Sequence, residues 1–231
     1  MNSSANTLKG ILLLSSLENE TLRNIEQECS WKTYHADEDV IERQSDTRNI
    51  FFVVRGKVRV ANYSFSGQMI TLDDLGKGSH FGELSAIDGE PRSASVIALE
   101  DSLIASLSSS RFLEILRNYP DIAFDVMKQL TRMVRVSTAR IMDLSTLGAN
   151  NRVHAEILRL ARASKKAGQV LALKPPPPHN DIASRVSTTR ETVSRVMADL
   201  ARQGIVERAR DSLIIHDLDR LEDMVVDVRG E

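Results

Sequence analysis

The spacing of apolar positions changes character twice along this chain. Residues 17–28 carry apolar side chains at helical intervals, which predicts a short amphipathic helix. From about residue 31 to 107 the pattern becomes short runs of β-branched and aromatic residues punctuated by glycine. "NIFFVVRGKVRVANYS" breaks at Arg55-Gly56, "GQMITLDDLGKGSHFG" turns at Gly67, Gly76 and Gly78, and "SASVIALEDSLIASLS" supplies two more strands. Many short strands joined by glycine turns predict a small all-β roll or barrel.

Helical spacing then returns. "SSSRFLEILRNYP" predicts a short helix that stops before Pro120, and Pro120-Asp121 suits the first turn of another. That second helix runs to about Leu147, with Ala123, Val126, Leu130, Met133, Leu144 and Leu147 among its apolar positions. Residues 123, 130, 137 and 144 form one sevenfold series, and 126, 133, 140 and 147 another, as in a coiled-coil seam. So long a helix with one apolar stripe needs a partner, either a second copy of the chain or its own β-domain. Ser137 and Thr138 interrupt the seam. Buried hydroxyls there cost stability unless they bond each other, a backbone carbonyl or a ligand. Gly148-Ala149-Asn150-Asn151 reads as a break and hinge, followed by a helix from near Arg152 to about Ser164. "KKAGQVLALKPPPPHN", with prolines at 175–178, reads as a stiff surface linker.

Beyond the prolines, residues 181–186 predict a short helix, Ser187-Thr188-Thr189 a hydroxyl-rich turn, and residues 190–203 a helix that buries Val193, Val196, Met197 and Leu200. Gly204 stops it, and "IVERARDSLIIHD" predicts a hairpin turning at Asp211-Ser212. Helix, tight turn, helix and hairpin make a winged helix-turn-helix. Arg190, Glu191, Ser194 and Arg195 face outward in the first two turns of the second helix, where base edges are met. Arg can fork onto guanine and Glu can accept from cytosine. Thr188 and Thr189 join them as candidate DNA contacts. In the alternative reading, Glu191 closes a capping box with Thr188 and the arginines touch phosphate without reading sequence.

Charge sharpens this picture. The net charge is only −2, yet residues 150–210 hold 12 Lys and Arg against 5 Asp and Glu, and the flanking regions are acidic. A basic block inside an acidic chain is the footprint of a polyanion partner. Lys165, Lys166, Arg185, Arg202, Arg208 and Arg210 are candidate phosphate contacts. Cys29 is the single cysteine, so neither an intrachain disulfide nor a Cys-ligated zinc or iron–sulfur site is expected. The apolar run at residues 11–14 is too short for a signal peptide, and nothing approaches the length of a membrane span. A soluble, cytoplasmic chain with no membrane partner is expected. The five histidines, at 35, 80, 154, 179 and 216, are scattered, and no Ser-His-Asp, metal or paired-carboxylate pattern suggests an enzyme.

One stretch remains, "FGELSAIDGEPRSAS", residues 81–95. Gly82 and the turn of helix from Glu83 would offer backbone N–H groups to an anion, Arg92 a planar fork for phosphate, and Ser93 a hydroxyl. A Glu83 carboxylate would repel phosphate, so it should meet a neutral donor such as a sugar hydroxyl. One acid for hydroxyl and one base for phosphate describe a ribose phosphate. The competing reading is a Glu83–Arg92 surface ion pair of little energetic weight.

"VVRGKVRV", "FGEL…PRSAS", the long helix and "STTRETVSR" occur in the order and spacing of the CRP/FNR family of bacterial transcription regulators, and the chain resembles that family over nearly its whole length. The resemblance implies an α+β protein: a double-stranded β-helix (jelly-roll) cyclic-nucleotide-binding domain over 1–118, a dimerisation helix and hinge over 119–149, and a winged helix-turn-helix over 150–231. It implies no cofactor beyond an allosteric ligand, cAMP or cGMP. Carried over by position, Glu83 would bond the ribose 2′-hydroxyl, and Gly82 and Leu84 would offer backbone. Arg92 and Ser93 would hold the cyclic phosphate, and Val60 and Leu72 would line the pocket. Ser137 and Thr138 would meet the purine, one from each subunit. The family pattern implies a homodimer on an inverted-repeat operator that works with RNA polymerase. Two rivals are a regulator that needs no nucleotide and a nucleotide-binding module with a protein-interaction output. Serine at 187 stands where the family commonly has glycine. A haem-sensing variant would need an axial histidine, and His80, the nearest, reads as turn surface.

Overall fold

The computed structural model describes residues 6–164 and 171–229. By contact density the chain divides between Met133 and Val134.

In the first unit, helix α1 (Asn19–Glu28) precedes eight strands: β1 (Ser30–Tyr34), β2 (Asp39–Ile41), β3 (Ile50–Arg55), β4 (Lys57–Tyr63), β5 (Met69–Gly76), β6 (His80–Phe81), β7 (Ser95–Ala98) and β8 (Ser102–Leu107). Helix α2 (Glu83–Asp88) sits between β6 and β7, and α3 (Ser109–Asn118) follows β8. The strands form two antiparallel four-stranded sheets, ordered β1-β8-β3-β6 and β2-β7-β4-β5, a jelly roll.

The unbroken apolar run of β3 follows from burial on both faces. Phe51 and Val53 enter the core between the sheets with Val58, Phe81, Val96 and Ile104. Ile50 and Phe52 face the other way, into a second core under Leu8, Ile11, Leu14, Ile25, Phe112 and Ile115. Gly56, at φ +87°, makes the predicted β3–β4 break. A Cβ there would lie 2.7 Å from the Ser102 Cα, so backbone would have to move.

The long helix α4 (Pro120–Thr146) has 27 residues, and its first turns complete that second core through Ile122 and Val126. The expected seam therefore needs correcting. Val126, assigned to a sevenfold series, is core, Leu147 is buried, and Arg140 fills another series position. The stripe left bare runs through Met127, Val134, Ile141 and Leu144, which are 53%, 65%, 62% and 49% exposed. Ser137 and Thr138 are exposed on the same face.

The second unit continues with α5 (Ala149–Ser164), β9 (Ala172–Leu173), α6 (His179–Arg185), α7 (Arg190–Arg202), β10 (Val206–Arg208), β11 (Leu213–Ile215) and α8 (Leu218–Arg229). The expected four-residue hinge shrinks to Leu147 and Gly148, because α5 starts at Ala149 and the Arg152 N–H already bonds the Gly148 carbonyl. The expected linker is also more than a spacer. β9 pairs with β11, giving a sheet ordered β10-β11-β9, and Leu173 is buried. The pattern reading stops at Asp217, where α8 begins. The Asp217 carboxylate accepts from the Arg220 N–H as a cap, and Leu221 and Val225 join a core shared with Val153, Ile157, Val193, Val196, Leu200 and Ile205.

A candidate ligand cassette and a candidate nucleic-acid interface

The cassette starts from a steric constraint. Gly82 caps α2 at φ +83°, and a Cβ there would come 2.7 Å from Arg92 Nη1 and 3.0 Å from the Asn49 carbonyl. Only glycine lets the two segments close up. The Gly82 carbonyl then accepts from Arg92 Nη1 at 3.0 Å. Arg92 Nη2 donates to the Asn49 carbonyl at 2.7 Å and Nε to the Thr47 hydroxyl at 3.0 Å. The guanidinium also lies over the Phe51 ring, 5.4 Å from its centroid, and Phe51 stacks on Phe81. Strand β3, the loop before it and the start of α2 thus aim one side chain together.

Arg92 is 2% exposed and Glu83 is 4% exposed, which overturns the surface ion-pair reading. Burial pushes the Glu83 carboxyl above its ordinary pKa, opposed by its own backbone N–H and by Arg92. Burial likewise lowers the Arg92 pKa, partly offset by Glu83. Three neutral oxygens hold a buried cation here, and two of its five N–H donors remain for something else. An anion that reached it would escape most screening by solvent.

The other predicted residues fall in different settings. Leu84 is half-buried and Ser93 is exposed. The Ser93 carbonyl accepts from Asn62 Nδ2 on β4, which ties the cassette to the β4–β5 hairpin. Val60 packs into the inter-sheet core. Leu72 is 37% exposed and is the extra residue of a bulge, since Val60 faces Asp73 and Ala61 faces Thr71. Ser137 and Thr138 belong to the second unit. His80 is not turn surface. It is buried on β6 with no partner for Nε2, and burial lowers its pKa to about 4, so the ring is neutral at physiological pH. Thr47, Asn49 and Phe51 were missed by the sequence reading, because no local pattern reveals which distant oxygens a buried arginine will find.

The second site is the face of α7. Thr189, not Thr188, is its cap, with its hydroxyl accepting from the Thr192 N–H at 3.3 Å. This removes the Thr188–Glu191 capping box. The Thr188 N–H bonds the Ala183 carbonyl and helps close the turn. The Glu191 carboxylate instead accepts from its own backbone N–H and the Thr189 hydroxyl, which hold its pKa below the ordinary value. Arg190, Glu191, Ser194 and Arg195 are all exposed, on the side opposite buried Val193, Val196, Met197 and Leu200. Ser187 adopts φ +50°, a left-handed conformation that favours glycine.

The phosphate candidates divide. Arg208 and Arg210 are exposed on the wing. Arg202 is exposed but pairs with Asp199 one helical turn back. Arg185 is turned inward, with a side chain only 9% exposed and lying 3.8 Å from buried Glu156, so it cannot meet phosphate in this arrangement. Lys165 and Lys166 lie outside the described residues. Arg152 was not singled out by the sequence. It donates to the carbonyls of Leu147 (2.8 Å), Val186 (2.9 Å) and Ser187 (3.1 Å), joining the end of α4 to the turn before α7.

Comparison with known proteins matches the domains that hold the two sites. Residues 31–119 match the model of the cyclic nucleotide-binding domain, and residues 151–224 match that of the Crp-like helix-turn-helix domain. A cyclic AMP receptor protein of Thermus thermophilus is 33% identical over 76% of this chain and 78% of its own. A CRP-like cAMP-activated global transcriptional regulator of Mycobacterium tuberculosis is 27% identical over 74% of this chain and 77% of its own. The structure of a CooA mutant from Carboxydothermus hydrogenoformans superposes with a TM-score of 0.80 at 23% identity, covering 93% of this chain and 95% of that one, a likeness of fold. The chain belongs to the CRP/FNR family of transcription regulators, with a cyclic-nucleotide-binding β-roll and a DNA-binding helix-turn-helix. Among the described residues, no helix is long and apolar enough to cross a membrane.

Proposed function

We propose that this chain is a cytoplasmic homodimer whose binding of an inverted-repeat operator is gated by a cyclic nucleotide, cAMP in the first place with cGMP as the alternative. What carries the reading is Arg92, a buried guanidinium with donors to spare beside a buried carboxylate. Arg92 and Ser93 take the cyclic phosphate, Glu83 takes the ribose 2′-hydroxyl, Gly82 and Leu84 supply backbone, and Val60 and Leu72 flank the ligand. Ser137 and Thr138 meet the purine from the two subunits of a dimer closed through the bare stripe of α4. The relatives named as cAMP receptor and cAMP-activated regulator support the choice of ligand.

On the DNA side, Arg190, Glu191, Ser194 and Arg195 read bases, while Thr188, Thr189, Arg208 and Arg210 serve the backbone. Nucleotide favours the arrangement that sets two α7 helices about one DNA turn, ~34 Å, apart. RNA polymerase is the further partner. Calorimetric titration with cAMP and then cGMP tests the switch. Binding at micromolar strength or better is expected for one of them, and Arg92→Ala should abolish it, with circular dichroism checking that the roll still folds. Silence with both nucleotides would leave a DNA-binding regulator that needs neither.

A further inference from the structure

Near the α7 face the second unit has an open depression of about 450 Å³, lined by Pro178, His179, Asn180, Arg190, Ser194 and Arg208. Three elements converge there: the start of α6, the start of α7 and the end of β10. Two lining side chains are permanent cations and a third, His179, can become one. Asn180 and Ser194 add neutral hydrogen-bonding groups. No acidic side chain lines the depression.

The arrangement has an electrostatic consequence. Partial burial holds the His179 pKa below the ordinary value, and the charges of Arg208 from β10 and Arg190 from α7 lower it further. In the free protein His179 is therefore mostly neutral at physiological pH. A phosphate in the depression would cancel the repulsion from both arginines and offer the ring an acceptor. Both effects raise the His179 pKa, so the same phosphate that binds there draws a proton onto the ring.

We propose that this depression takes one DNA backbone phosphate per subunit and that His179 makes the contact dependent on pH. The proposal rests on the DNA-binding reading and adds to it a titrating contact. The sign follows from linkage. Affinity rises as pH falls from the raised pKa in the complex to the lowered pKa in the free protein, and is level outside that window. A phosphate contact carries no sequence information, so it should act on any duplex.

The test uses the full chain with cAMP or cGMP at saturation and a mixed-sequence DNA duplex, with affinity measured by fluorescence anisotropy against salt concentration at several pH values from about 8 down to 5.5. The slope of log affinity against log salt should steepen at low pH by about 0.9 for each titrating contact, or about two for a dimer. His179→Gln should give a slope that ignores pH, and His179→Arg should keep the steep slope throughout. His216, which pairs with Glu207 on the wing, is the nearest competing source of pH dependence, and His216→Gln should leave the response as in wild type. A wild-type slope that does not change with pH overturns the proposal, as does a response that survives in His179→Gln. Both outcomes leave the DNA-binding reading standing. Failure to bind the duplex at any pH overturns both.

Discussion

Glu83 shows what a ligand site costs the empty protein. Its carboxyl is buried and its pKa is raised above the unfolded value. Whatever it contributes to stability is therefore fully present below the ordinary carboxylate range, near 4.5, and is lost as pH rises through the folded pKa. Glu83→Gln should thus make the nucleotide-free protein as stable as wild type or more so at pH 7, by urea denaturation, while weakening nucleotide binding at least tenfold. A variant less stable at pH 7 would mean that the carboxylate holds the fold. Ser187 is the second single-residue case. At φ +50° a β-branched side chain is strained, so Ser187→Val should lower stability by about 1–2 kcal/mol, and Ser187→Gly should change it by under about 1 kcal/mol. Thermal unfolding of the two variants side by side checks this. Residues of this kind were legible in part. Glu83, Arg92 and the α7 face stand in recognisable strings, whereas two of the three oxygens that hold Arg92 lie 43 and 45 residues away in sequence and leave no mark on the local pattern.

Elements were read best where one period dominates. The glycine-broken strands, the stop before Pro120 and the paired helices after Pro178 all form as their spacing predicts. β9 was missed because two residues are too few for any period, and their pairing with β11 is tertiary. α8 was legible, since Asp217, Leu221 and Val225 make a cap and a stripe, yet the reading ended with the hairpin. The seam of α4 was misplaced for a different reason: both of its apolar sides look alike in sequence, and only packing shows that Ile122 and Val126 are already taken. The bare stripe carries the element-scale prediction. Val134→Glu or Ile141→Glu should convert the protein to a monomer in sedimentation analysis and weaken operator binding more than tenfold. Both side chains are exposed, so the circular dichroism of the full-length variants should match that of wild type. A variant that stays dimeric would place the subunit contact elsewhere.

At the scale of the whole chain, a nucleotide switch makes the coupling reciprocal. If cAMP tightens operator binding by some factor, commonly about 5–150-fold in coupled systems, the operator must tighten cAMP binding by the same factor. Titrating cAMP into the protein with and without saturating operator measures that number directly, and a factor of one would show that the two sites are uncoupled. How such a signal could travel returns attention to Arg152. Its guanidinium holds the last carbonyl before Gly148 and the two carbonyls at the turn ahead of α7. With those three bonds in place the junction is a strut rather than a joint. A twist of the distal end of α4 about its own axis would be delivered to the recognition helix as torque, with little lost to bending at the glycine. Trimming Arg152 to alanine would put slack in the transmission: each half would keep its own task, and the stroke between them would be lost.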